Sequence, residues 1–387
     1  MKKTMKRAIS LCLVVVMAAG LLCVSGFAAG TTKQYGSYVV IGDSIATGFG
    51  LDTYGSSSTH AENSDMTEMN ASLANGSLVA GSYPAEVAAG VGATDVYQMQ
   101  RPAIRTVEVR RLLDSSYKGD QYTDSVLAAA QITDSDWAGL KANAAAKIAG
   151  ADLITLNIGS DDVILTGVVA MYAYLAKLSA IQKSSLLTQQ LAEAKALMAD
   201  LGTLGEAFNK MLDLAEEVGA ANGAIAALSA GAVQGVAQFK VNWNVIQKAI
   251  HKLNPDVTLV VVGMYNPFRD LKLTGASLLS VGKLADQVVN MMNLYMQTSL
   301  YSRYYTYVSV LGTTVYPFSP LASGTFSDEL LKNVHPTAAG HEYMAEQILS
   351  ALPAAGSGTS AASVSLADLG LIGKALARMS SVLAAVK

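Results

Sequence analysis

A serine and a histidine set far apart in the chain are the residue types that nucleophilic catalysis needs. The serine ends the stretch Tyr38-Val39-Val40-Ile41-Gly42-Asp43-Ser44, in which four apolar residues run into a Gly-Asp-Ser turn. A buried strand of this kind delivers Ser44 to its carboxyl end, where open parallel α/β sheets bind their ligands. Gly42 lets the backbone turn sharply there. A hydroxyl becomes a competent nucleophile only when a base takes its proton. The chain has four histidines. His335, in Val334-His335-Pro336-Thr337, stands at a loop-to-helix junction with a proline suited to a first helical turn. An apolar helical run through Met344, Ala345, Ile348 and Leu349 follows it, and His341 within that run reads as a structural or capping group. The plainer alternative for Ser44 is an N-cap on an ordinary strand-to-helix turn, and a three-residue motif alone does not separate the two.

Positioning these residues takes a sheet, and the chain supplies short apolar runs alternating with helical ones. Strands are expected over 38–41, 94–99, 152–158, 257–262 and 304–311, with helices over 83–91, 105–113, 137–150, 239–253 and 278–300 between them. That alternation is the doubly wound α/β pattern. Residues 163–233 form an Ala- and Leu-rich stretch with apolar residues at helical spacing. Gly202, Gly205, Gly219 and Gly223 are its expected interruptions. It is either a cap that shapes an apolar pocket or a bundle packed on the side of the domain. Residues 51–82 are polar and without period, and read as a long loop beside the serine.

With both ends in view, the sequence resembles the SGNH, or GDSL, family of secreted esterases and lipases over most of residues 36–350. The resemblance rests on Gly42-Asp43-Ser44, on Gly159-Ser160-Asp161-Asp162 where the family has Gly-x-Asn-Asp, and on His335-Pro336 followed by Gly340-His341. It implies a three-layer, flavodoxin-like parallel sheet. It also implies hydrolysis of carboxylic esters, with Ser44 as nucleophile and His335 as base, and no cofactor or metal. The backbone N–H groups of Ser44 and of Ala103, which takes the place of the family's block-two glycine, are then the oxyanion donors. Besides Ala103, two positions depart from the pattern. Asp161 replaces an asparagine whose amide would donate to the oxyanion, whereas an ionised carboxylate only accepts. Lys332 stands three residues before His335, where the family carries its triad aspartate, which leaves Asp328 or a backbone carbonyl to orient the imidazole. These departures keep a second reading open: a weak or inactive family member acting as an envelope or glycan-binding protein.

The ends of the chain and its composition set the surroundings. Residues 1–29 carry Lys2, Lys3, Lys6 and Arg7, then an apolar run from Ala8 to Val24, then small residues, the layout of a secretory signal peptide. An uncleaved anchor is the alternative. Both cysteines, Cys12 and Cys23, fall inside this leader, so a mature chain has no thiolate chemistry and no disulfides. Losing the leader's four positive charges moves the formal net charge from −3 to −7. Without a basic block, that balance argues against nucleic acid as a partner. Residues 30–351 read as one hydrolase domain, and 352–387 as a Gly/Ser/Ala linker and an amphipathic helix. Leu366, Leu369, Ile372, Leu376, Met379, Leu383 and Val386 share one face of that helix. Such a tail docks back on the domain, pairs with another copy, or lies on a membrane surface. The location these features imply is secreted or extracytoplasmic, with cell-envelope association as a variant.

Overall fold

The computed structural model describes residues 35–54, 78–120, 134–198, 204–269, 281–316 and 334–353. Asp328, Lys332, the leader and the C-terminal tail lie outside them, as does most of the loop expected over 51–82. In chain order the elements are β1 (Ser37–Gly42), α1 (Ser44–Thr47), α2 (Tyr83–Val91), β2 (Asp95–Gln100), α3 (Thr106–Leu113), α4 (Asp134–Ala149), β3 (Leu153–Asn157) and α5 (Ser160–Gln182). They continue with α6 (Ser185–Met198), α7 (Leu204–Glu217), α8 (Ala221–Leu253), β4 (Thr258–Val262), α9 (Val281–Thr298), β5 (Thr306–Val308) and α10 (Ala338–Ala351).

All five strands pair in parallel in the order β2-β1-β3-β4-β5, the flavodoxin-like arrangement. Both faces of the sheet are covered, so its strands are apolar on both sides. Val39, Ile41, Ile154, Leu156 and Val261 belong to one core with Val109, Leu140, Phe239, Trp243 and Met292 of α3, α4, α8 and α9. Tyr38, Val40, Thr155 and Val260 alternate with them and are also sealed. The one buried polar pair among these, Tyr38 and Thr155, is satisfied by a hydroxyl contact of 2.7 Å. Helices α2 and α10 pack on each other, and α10 also packs on β5.

Register levels the site. Gly42 pairs with Gln100 of β2 and with Asn157 of β3, so the turns after β1, β2 and β3 leave the sheet at the same height. The strand order reverses direction about β1, which is where a crevice opens in such sheets.

Two elements differ from the sequence expectation. Strand β5 stops at Val308 rather than Leu311, because Thr313 N–H closes a turn on the Val310 carbonyl at 3.0 Å. The helices expected on either side of residue 233 are one, α8. Two of its glycines, Gly231 and Gly235, are points of contact: a Cβ there would collide with the α5 backbone at Thr166 and Asp162. Gly223 likewise sits beneath the Tyr174 ring and does not interrupt the helix. Gly219, with φ +67°, does separate α7 from α8. Helices α5, α6, α7 and the start of α8 enclose a second apolar core around Leu165, Met171, Leu175, Leu191 and Met211.

Candidate active site

Ser44 is the first residue of α1, directly after β1. Asp43 caps that turn, its Oδ1 accepting from the Ile45 N–H at 3.0 Å. At Gly42 a side chain would strike Ala46 and the Asn157 carbonyl, so the close return of α1 on the strand end requires glycine. The Ser44 Oγ lies 2.7 Å from His335 Nε2, within reach for direct proton transfer. The N-cap alternative for Ser44 is thereby displaced: the capping side chain is that of Asp43, and the serine hydroxyl faces the histidine.

His335 is 6% exposed and is held from several sides. Pro336 bridges Val315, and Thr337 N–H donates to the Thr314 carbonyl at 3.0 Å. The Tyr265 hydroxyl donates to the Val334 carbonyl at 2.8 Å, and the Phe49 ring centroid is 4.8 Å from that of the imidazole. Neither Phe49 nor Tyr265 stood out in the sequence. Each acts through a contact with a distant loop, which leaves no local signature. His341 is fully buried, and its Nδ1 accepts the Tyr83 N–H at 3.2 Å. Burial, with nearby His335 as a second cause, pushes its pKa down to about 3, so it is a neutral packing group.

The turns after β2 and β3 complete the site. Gly159 has φ +128°, and a side chain there would meet Phe239 and Met292. Ser160, unremarked in sequence, donates a short hydrogen bond to Asp43 Oδ2 and ties this turn to the Ser44 turn. Asp162 accepts from Thr106 N–H at 2.8 Å and from Thr106 Oγ1 at 2.5 Å, fixing the start of α3. Between β2 and α3, Ala103 has φ +60°. This is the left-handed conformation for which a glycine is expected, and alanine there costs about 1–2 kcal/mol. Among the described residues, neither the Ser44 nor the Ala103 N–H is engaged by a protein acceptor. Ala103→Gly should relieve the strain and lose part of the gain to unfolded-chain entropy. A net stabilisation of roughly 0.5–1 kcal/mol is expected, raising Tm by roughly 1–3 °C in a thermal melt. A lower Tm would mean that the methyl group contributes packing worth more than the strain.

Three buried carboxyls surround the turn. Burial pushes Asp43 up to about 6, against hydrogen bonds from Ser160 and Ile45. It pushes Asp162 up to about 7, against the Thr106 bonds. Asp161 is raised well above the carboxylate range, by burial first and then by the charges of Asp43 and Asp162. The residue as a whole is part-exposed, but its Oδ2 is sealed from solvent and has no hydrogen-bond partner. Arg105 is committed to Glu108 and Asp120, at 2.7 Å and 2.9 Å, and Asp161 forms no ion pair among the described residues. Burial and its acid neighbours outweigh the opposing charge of Arg105 and hold the Asp161 carboxyl toward its protonated form, in which a carboxyl can donate. Among the described residues no group of three or more His, Cys, Asp or Glu is arranged to hold a metal ion.

A family model described as GDSL-like Lipase/Acylhydrolase matches residues 38–348. No curated protein matches the sequence. The structure is similar to that of an extracellular lipase from Streptomyces rimosus, with 17% identity and a TM-score of 0.43 over 81% of this chain and 99% of the other. A phospholipase A1 from Streptomyces albidoflavus gives 14% and 0.42 over 82% and 100%. A family two carbohydrate esterase from Clostridium thermocellum gives 13% and 0.31 over 82% and 63%.

Proposed function

Since the chain belongs to the GDSL-like lipase/acylhydrolase family, we propose that this ester hydrolase works through an acyl-enzyme on Ser44, with His335 as its base. The observation that carries this reading is the 2.7 Å contact between Ser44 Oγ and His335 Nε2. The imidazole protonated on Nδ1 accepts the serine proton as Oγ attacks the ester carbon. The imidazolium then returns that proton to the departing alcohol. Water, deprotonated by the same nitrogen, releases the acid. The N–H groups of Ser44 and Ala103 would hold the oxyanion, each such donor being worth about 3 kcal/mol. A neutral Asp161 adds a third donor through its O–H.

The leader, with its four cations and apolar run, supports export, so the ester is one met outside the cytoplasm. A silent, glycan-binding role has less support. Its case rests on Asp161 and Lys332, whereas the nucleophile and base are in contact. Nitrophenyl esters of increasing chain length, assayed beside Ser44→Ala, test the proposal. Turnover by the parent and none above background by the variant is expected, and activity indifferent to the substitution would sink the mechanism.

The acyl group is where α5–α7 enter. Ala103 lies against the apolar core of these helices, so an acyl chain leaving the oxyanion site would run along them. Removing residues 189–219 should therefore change the preference for chain length more than it changes acetate-ester turnover. Equal losses on all esters would identify the helices as structural support only.

A further inference from the structure

We propose that the turn joining α5 to α6 is a docking surface for anionic phospholipid bilayers. Ile181 is 69% exposed and Leu186 55% exposed, one on each side of this turn. Neither belongs to the stripe its helix buries: α5 buries Met171 and Leu175, and α6 buries Leu187, Leu191 and Ala194. Their exposure therefore follows from no packing requirement of the fold. Lys177, one helical turn before Ile181, and Lys183, between Ile181 and Leu186, are both exposed and form no ion pair among the described residues. Residues 163–192 contain no acid at all in a chain of formal net charge −3. Two unpaired cations beside an apolar pair, in an acid-free segment of an acidic protein, is the complement of an anionic headgroup layer over hydrocarbon.

Several of the turn's polar groups are satisfied within it, which lowers the cost of entering such a layer. Ser184 Oγ accepts the Leu187 N–H at 3.2 Å, and its carbonyl accepts from Thr188 N–H at 3.1 Å. The Ser179 and Thr188 hydroxyls meet at 2.8 Å. Lys183 occupies the left-handed helix C-cap at φ +52°, where glycine is the ordinary choice. The position carries a cation in spite of the strain. Ile181 lies 20 residues along α5 from Asp161, about 30 Å at the helical rise, so this surface is separate from the candidate active site and independent of its chemistry.

The test is flotation of the purified protein with vesicles of equal phosphatidylglycerol and phosphatidylcholine at low salt, and with pure phosphatidylcholine vesicles. Binding to the anionic vesicles is expected, weakening as salt rises. The double variant Ile181→Ser/Leu186→Ser should bind at least about tenfold more weakly, and Lys177→Gln/Lys183→Gln about tenfold more weakly on the anionic vesicles. Both should keep the parent's circular dichroism and its turnover of nitrophenyl acetate. No flotation of the parent, equal binding to both vesicle types, or unchanged binding by folded variants would each overturn the proposal. The last result would assign any membrane affinity to another segment, such as residues 366–387.

Discussion

His335→Ala should lower kcat/KM for nitrophenyl acetate by about ten-thousand-fold, with the loss in kcat and KM little changed. A serine hydroxyl is a weak nucleophile without a base, and Nε2 of His335 is the nitrogen in contact with it. The cavity left by the ring is bounded by Phe49 and by a loop pinned independently through Tyr265, Thr314 and Val315. The variant should accordingly fold, and its circular dichroism should match the parent. A folded variant that retains more than about a tenth of the activity would show that another group activates Ser44.

Asp161→Asn should produce the next largest change, and its size should depend on pH. While Asp161 is protonated it donates as an amide would, so parent and variant should turn over a simple ester at similar rates in mild acid. On the proposed assignment of Asp161 to the oxyanion site, its ionisation would set a carboxylate against the forming oxyanion, and two charges about 4 Å apart repel by roughly 4 kcal/mol at the effective dielectric of such sites. The variant should therefore exceed the parent by up to about a thousandfold at high pH, with the ratio falling toward one as pH drops. Stability should follow the same proton. A carboxyl whose folded pKa is raised holds a proton that the unfolded chain has released, so its contribution is complete below about 3.9 and is lost as pH rises through the folded value. Asp43 and Asp162 add the same trend up to about 6 and 7. Buried His341 opposes them, costing stability as pH falls from about 6.5 toward 3. Asp161→Asn should narrow the difference in urea midpoint between pH 5 and pH 8. A folded variant no more active than the parent at any pH would give Asp161 a positive role that donation to the oxyanion does not describe.

The pairing of Ser44 with His335 was legible in sequence because each is announced by its own few residues: an apolar strand breaking at Gly42 and a proline opening a helix after His335. The sheet was legible for a similar reason, since runs such as 38–41 and 259–262 are apolar throughout, as is expected of strands covered on both faces. What escaped was whatever depends on contact across the fold. Gly223 looks like a helix break until Tyr174 of α5 is seen against it. Ser160 occupies the variable position of its motif, yet it bonds to Asp43. Tyr265 and Phe49 hold the histidine through elements far along the chain. Ala103 was expected to stand in a glycine's place, and its φ of +60° gives that expectation a measurable strain. The direction of the Asp161 shift was not legible either, since it follows from burial and from the charges of Asp43 and Asp162 that the fold brings beside it.

The central claim, that Ser44 is a nucleophile activated by His335, is tested most directly by intact-mass analysis after treatment with a fluorophosphonate. One adduct is expected, located by peptide mapping on Ser44, absent from Ser44→Ala and formed far more slowly in His335→Ala. A folded parent that takes no adduct, or takes it on another residue, would contradict the account.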